Sequence, residues 1–174
     1  IEKNTILDTP IEIIYCDKAT SESFHQYRNT VVIEDSAKVK FIEHIHSLSK
    51  VKNFINNVTQ FEIGKNATVE YNKIQMNNTK VILVDNVRVN QNKDSSCTLN
   101  TFLFDGDFTR NDLSFFQKGE NCESNMRGII ILENNQFADN HTFVNHAKPN
   151  CQSNELYKGI YLNDSKGVFN GKIM

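Results

Sequence analysis

A short self-similar unit that recurs along this chain restricts its fold more than any other feature. In Ala37-Lys38-Val39-Lys40-Phe41 apolar residues alternate with lysines, and Ala67-Thr68-Val69-Glu70-Tyr71 repeats the arrangement. Ile33-Glu34-Asp35-Ser36 precedes the first run as Ile63-Gly64-Lys65-Asn66 precedes the second, at an offset of 30 residues. Alternation with period two places apolar side chains on one face of a strand, so each unit reads strand, polar turn, strand. Looser echoes follow in Gly119-Glu120-Asn121-Cys122, after Phe115-Phe116, and in the stretch from Asn163 to Phe169. Self-similarity at this spacing marks a stacked architecture in which each unit covers its neighbour's apolar face.

Units made of short strands alone fit the coils of a right-handed parallel β-helix, because ankyrin and tetratricopeptide repeats require helices. The 24 asparagines suit such coils, since Asn tolerates a left-handed backbone and bonds its own main chain at tight corners. A β-sandwich is the alternative all-β reading. Only 7 Gly and 2 Pro leave it short of hairpin turn residues.

At 174 residues the chain fits a single domain, 1–174, large enough for a real core. Its 19 basic and 21 acidic side chains give a formal net charge of -2, with no basic stripe to grip a phosphate backbone, so nucleic acid is not an expected partner. No apolar run reaches the length of a membrane span, and the opening Ile1-Glu2-Lys3-Asn4 lacks a signal-peptide layout. Lacking an initial Met, the chain reads as a fragment. Cys16, Cys97, Cys122 and Cys151 form no CxxC pair and no zinc-type spacing, so they read as free thiols of a reducing, cytoplasmic compartment. Five sequons, at Asn57, Asn66, Asn77, Asn140 and Asn163, read as chance matches in an Asn-rich chain.

Three groups of residues invite a chemical reading. His44 and His46 share one face of a strand and form the nearest approach to a metal pair, but that face is the solvent one, because Phe41, Glu43 and Ile45 take the other register. The segment from His141 to Cys151, with His146 between them, invites a Cys/His nucleophile or cluster-ligand reading. Asp105, Asp107 and Asp112 form the best acidic cluster, although a polar turn around Gly106 and Arg110 explains them without a substrate. No phosphate loop, dinucleotide fingerprint or serine-hydrolase elbow occurs. The residues by themselves leave open a β-helix carbohydrate-active enzyme or a surface adhesin, both of which predict export.

The last third carries a longer signature. It runs from Asp139-Asn140-His141-Thr142-Phe143-Val144-Asn145-His146 through Pro149-Asn150-Cys151-Gln152-Ser153-Asn154-Glu155-Leu156-Tyr157-Lys158-Gly159-Ile160 to Gly167-Val168-Phe169-Asn170-Gly171-Lys172-Ile173. Together with Arg28-Asn29-Thr30-Val31-Val32, Phe41-Ile42-Glu43-His44 and Arg110-Asn111-Asp112-Leu113, this stretch resembles the SufD family. The paralogous SufB reads differently between Leu156 and Ile173, which favours SufD.

The resemblance implies a bacterial scaffold subunit rather than an enzyme: a β-helix that pairs with SufB, in an assembly powered by the SufC ATPase, on which iron–sulfur clusters form. It also implies a helical N-terminal region, further coils and a C-terminal helical region that docks SufC, none of which lies in these residues. The family's Cys-Ser-His stretch would fall beyond Met174, so no catalytic, cofactor or metal role passes to His141, His146 or Cys151. An isolated fragment has exposed strand edges through which a homodimer could form, and the sequence leaves its oligomeric state open. Gly159, Gly167 and Gly171 are expected at corners that a side chain would forbid, and Asn150 and Asn170 are expected to bond neighbouring coils.

Overall fold

The computed structural model describes residues 1–78 and 80–174. Twelve strands follow one another: β1 (Ile11–Asp17), β2 (Ser23–Ile33), β3 (Lys38–Ser47), β4 (Asn53–Ile63), β5 (Thr68–Met76), β6 (Val81–Gln91), β7 (Ser96–Asp105), β8 (Phe108–Gln117), β9 (Glu123–Leu132), β10 (Phe137–His146), β11 (Gln152–Tyr161) and β12 (Lys166–Ile173). Odd strands form one six-stranded sheet, in the order β1-β3-β5-β7-β9-β11. Even strands form the other, in the order β12-β10-β8-β6-β4-β2. Every pairing is parallel. The chain is therefore a parallel β-helix of two sheets, one strand of each per coil, and the sandwich alternative is set aside.

The repeat is a literal stack. Ile33 pairs with Ile63, Val39 with Val69 and Phe41 with Tyr71, so residues 30 apart in sequence sit one coil apart in space. Inward positions alternate with outward ones, and Ile33, Ile63, Val39, Val69, Phe61, Tyr71, Val89, Leu99 and Phe115 are almost wholly buried. The Phe41, Phe61 and Tyr71 rings meet at centroid distances of 4.9 to 6.4 Å with tilted or edge geometry, the arrangement that ring quadrupoles favour.

Corners are made by left-handed residues. Where an even strand turns into an odd one, Ser36, Asn66, Asp94, Asn121 and Asn150 all have φ between 56 and 61°. Each short polar side chain lowers the cost of a conformation that most L-residues avoid. The residue that follows each of them, in order Ala37, Ala67, Ser95, Cys122 and Cys151, is small and turns toward the core. Asn163 is also left-handed, with Asn134 one coil earlier, but both lie at the opposite edge, where odd strands turn into even ones. The echo at Asn163 thus belongs to a different corner from its three predecessors.

The glycine expectation does not hold. Gly159, Gly167 and Gly171 lie inside β11 and β12, and Gly106 is the only described glycine with positive φ. Space explains them better than backbone conformation: a Cβ on Gly159 or Gly167 would strike the Tyr161 ring, and one on Gly171 would stand 3.0 Å from a Glu155 carboxylate oxygen. Asn150 does serve a corner, through its left-handed backbone, whereas Asn170 lies within β12. Three of the sequon asparagines, Asn57, Asn77 and Asn140, are 0%, 1% and 2% exposed, which closes them to glycosylation in the folded chain.

Candidate functional site

Polar side chains run through the middle of the solenoid, at inward positions where the strand pattern calls for apolar ones. Glu43 of β3 stacks on Lys73 of β5, and both are almost wholly buried. The Lys73 ammonium lies 3.5 Å from Glu43 Oε1 and donates to Asp85 Oδ2 of β6, across the lumen. Tyr71 donates its hydroxyl to Glu43 Oε2 at 2.5 Å. Asp85 also accepts from Asn57 at 3.1 Å and from Gln75 at 3.2 Å.

The network extends in both directions along the axis. Gln75 and Asn111 exchange two amide bonds, of 2.8 and 3.1 Å, and Asn111 donates to Asn140 at 3.0 Å. Toward the other end, Asn29 donates to Asn57 at 3.3 Å and to the Tyr15 hydroxyl at 2.6 Å. A hydrogen-bonded polar core thus spans five successive coils, from Asn29 on β2 to Asn140 on β10.

Burial shapes the chemistry of these groups. Loss of solvent lowers the Lys73 pKa, and the Glu43 carboxylate beside it acts in the opposite direction. Tyr71 is pushed well above the usual phenol range by burial and then by Glu43. Two carboxylates face one ammonium, so the cluster holds one more acidic than basic group, and hydrogen bonds from Tyr71, Asn57 and Gln75 help to stabilise the carboxylate oxygens. The cavity bordered by Lys73, Asp85, Asn111 and Asn140 measures about 10 Å³, room for roughly one water and no substrate. This arrangement links successive coils through buried hydrogen bonds and charge contacts.

Of the residues singled out in the sequence, Asp112 and His141 are brought into register on β8 and β10, and the three groups otherwise lie apart. His44 and His46 lie on the outer face of the odd-strand sheet, and His46 Nδ1 is 2.9 Å from the Met76 carbonyl of the next coil. Asp105 bonds the Gly106 amide and the Gln136 side chain at the β7–β8 corner, where Asp107 is exposed. Asp112 lies instead on the outer face of the even-strand sheet, in a two-toothed contact with Arg110 at 2.8 and 3.1 Å. Arg110 also reaches Asp139 at 2.8 Å, and His141 lies 2.7 Å from the other oxygen of that carboxylate. The three aspartates therefore line no common groove.

His146 pairs with Ser153 at 3.0 Å, while Cys151 bonds the backbone oxygens of Gly119 and Pro149. The tail segment thus contributes its two histidines and its cysteine to three separate contacts. Elsewhere, Ser23, His25 and Asp17 meet, but the hydroxyl at 2.9 Å and the carboxylate at 3.2 Å both face His25 Nε2. A nucleophile triad needs them on opposite ring nitrogens. Among the described residues, no three His, Cys, Asp or Glu side chains stand close enough together to hold a metal ion.

The outer faces carry apolar rows. Phe24, Phe54, Ile82, Phe108 and Phe137 occupy one register position on successive even strands, with ring centroids 5.2 Å apart for the first pair and 5.5 Å for the last. On the odd-strand sheet Ile131 and Ile160 are exposed opposite each other, with Ile129 and Leu156 on the same face set against Lys158 and Arg127. Contiguous exposed apolar surface is the usual mark of an interaction face.

Comparison with known proteins supplies the context for this architecture. Residues 15–174 match the family described as SUF system FeS cluster assembly, SufBD core domain. The chain is 25% identical over 147 residues to the iron-sulfur cluster assembly protein SufD of Escherichia coli (strain K12), a match covering 84% of this chain and 35% of the relative. It is also 25% identical over 183 residues to an iron-sulfur cluster assembly SufBD family protein of Synechocystis sp., covering 100% of this chain and 40% of the relative. The chain spans well under half the length of either relative. The family match over nearly all of its residues, on a parallel β-helix, makes the assignment: this chain belongs to the SufBD core family of iron–sulfur cluster assembly proteins.

Proposed function

We propose that this chain forms the β-helical body of a SufD-type scaffold subunit, working with SufB and the SufC ATPase to build iron–sulfur clusters in the cytoplasm. The observation that carries the reading is the family match across residues 15–174. The solenoid supports it in two ways. Its titratable interior groups are consumed by one another, which suits a subunit that holds partners rather than one that turns over a substrate. Its apolar outer rows offer extended surface for protein contacts. Iron and sulfide are cargo of the whole assembly in this reading, and no reaction is assigned to the chain itself.

The test is affinity recovery of the full-length protein from its native cells, with identification of whatever comes with it. Co-recovery of SufB and SufC is the expected result. Recovery of the protein without either, under conditions that keep the SufB–SufC contact intact, overturns the proposal.

A further inference from the structure

Cys122 and Cys151 occupy the same place on successive coils, directly after the left-handed residues Asn121 and Asn150. Among the described corners of this edge, these two adjacent levels both carry a thiol; earlier levels carry Ala37, Ala67 and Ser95. Backbone bonds hold the two corners together: the Gln152 amide donates to the Cys122 carbonyl at 2.9 Å, and the Asn121 amide to the Pro149 carbonyl at 3.2 Å. Both sulfurs lie within hydrogen-bond reach of the Gly119 carbonyl oxygen, at 3.3 Å from Cys122 Sγ and 3.4 Å from Cys151 Sγ, while Cys122 Sγ also lies 3.1 Å from the Asn92 carbonyl oxygen.

We propose that Cys122 and Cys151 are a redox site, oxidised by peroxide to an intrachain disulfide that staples these two adjacent corners. Neighbouring parallel strands lie roughly 4.8 Å apart, inside the range of roughly 4.4–6.8 Å between Cα atoms that a disulfide spans. Stacked side chains run alongside each other instead of converging, so the bridge departs from relaxed geometry and is readily reduced. That lability suits a reversible modification better than a permanent brace.

Exposure sets the order of events. Cys151 is half-buried and Cys122 is 1% exposed, so Cys151 meets the oxidant first. Its sulfur takes one peroxide oxygen to give a sulfenic acid, and the second oxygen leaves as water. The Cys122 sulfur then attacks the sulfenic sulfur, the S–S bond forms as the S–O bond breaks, and the departing hydroxide takes the Cys122 proton as a second water. Two thiols lose two electrons and two hydrogens, and one peroxide is reduced to two waters.

Peptide mapping of the folded full-length protein after hydrogen peroxide treatment tests this, with free thiols alkylated before digestion. The expected result is a linked peptide pair containing Cys122 and Cys151 that a dithiol reductant separates, with Cys97 still free. Conversion of Cys151 to sulfinic acid while Cys122 remains a free thiol would overturn the proposal. Cys151→Ser supplies the control, and Ser95 in the same stack shows that the position accepts Ser. In this variant Cys122 should stay reduced under peroxide. Its pairing with any other cysteine in the folded protein would show that the stacked corner does not select the partner.

Discussion

The ring of Tyr157 fills the space left by the missing side chain of Gly128. The two residues pair in register on β11 and β9, and both face inward. A Cβ on Gly128 would stand 2.3 Å from Tyr157 Cδ1 and Cε1, far inside van der Waals contact. Gly128→Ala is therefore expected to cost about 1–3 kcal/mol by overpacking. Combining it with Tyr157→Ala should cost less than the two single changes added, because the clash disappears with the ring. Urea unfolding of the four proteins checks this; strict additivity would show that the ring moves aside freely.

Lys73 is the cation that reconciles Glu43 with Asp85 in the core. Lys73→Met leaves two buried carboxylates facing each other and is expected to lose about 3–5 kcal/mol. Adding Glu43→Gln and Asp85→Asn removes both charges and should restore more than half of that loss. Denaturant midpoints of the single and triple variants decide it: a triple variant no better than Lys73→Met would show that shape, not charge, sets the cost.

Cys97 is expected to make stability fall in alkali. Burial raises its thiol pKa from 9.0 to about 12. A folded-state pKa above the unfolded one gives stability that is complete below pH 9 and lost as pH rises toward 12. The full loss from this thiol is about 4 kcal/mol. Cys97→Ala should flatten the decline of the denaturant midpoint between pH 9 and 11, whatever it does to stability at pH 7. An unchanged slope would place the alkaline loss on Tyr71 and Tyr157, whose pKa values burial also raises.

Asn66 holds a corner at φ 56°. Asn66→Val, with a branched Cβ in the left-handed region, is expected to destabilise by about 1–2 kcal/mol. Asn66→Gly should change little, since Gly takes positive φ freely. Equal losses in both would move the role of Asn66 to its side-chain bond with Ser36 Oγ at 3.2 Å.

The coil was legible because its repeat is written in inward positions. Aligning Ala37-x-Val39-x-Phe41 with Ala67-x-Val69-x-Tyr71 already states which residues stack. Carried one step further, the same alignment sets Glu43 against Lys73, an opposite-charge pair at an inward level, and that signal could have revealed the polar core. Asp85 had no such signal, since its contact with Lys73 crosses between the sheets rather than following the stack. Corners were misassigned to Gly159, Gly167 and Gly171 because glycine is the commonest answer to a left-handed backbone. Here Asn, Asp and Ser take those places, and the three glycines make room for Tyr161 and Glu155.

The central claim, that this solenoid is the body of a scaffold for iron–sulfur assembly, meets its most direct test in cluster content. Iron and acid-labile sulfide would be measured on the SufB–SufC assembly purified anaerobically from cells with and without the full-length protein. The scaffold account predicts that both fall several-fold when the protein is absent and return when it is restored. An undiminished load of iron and sulfide in its absence would contradict the account.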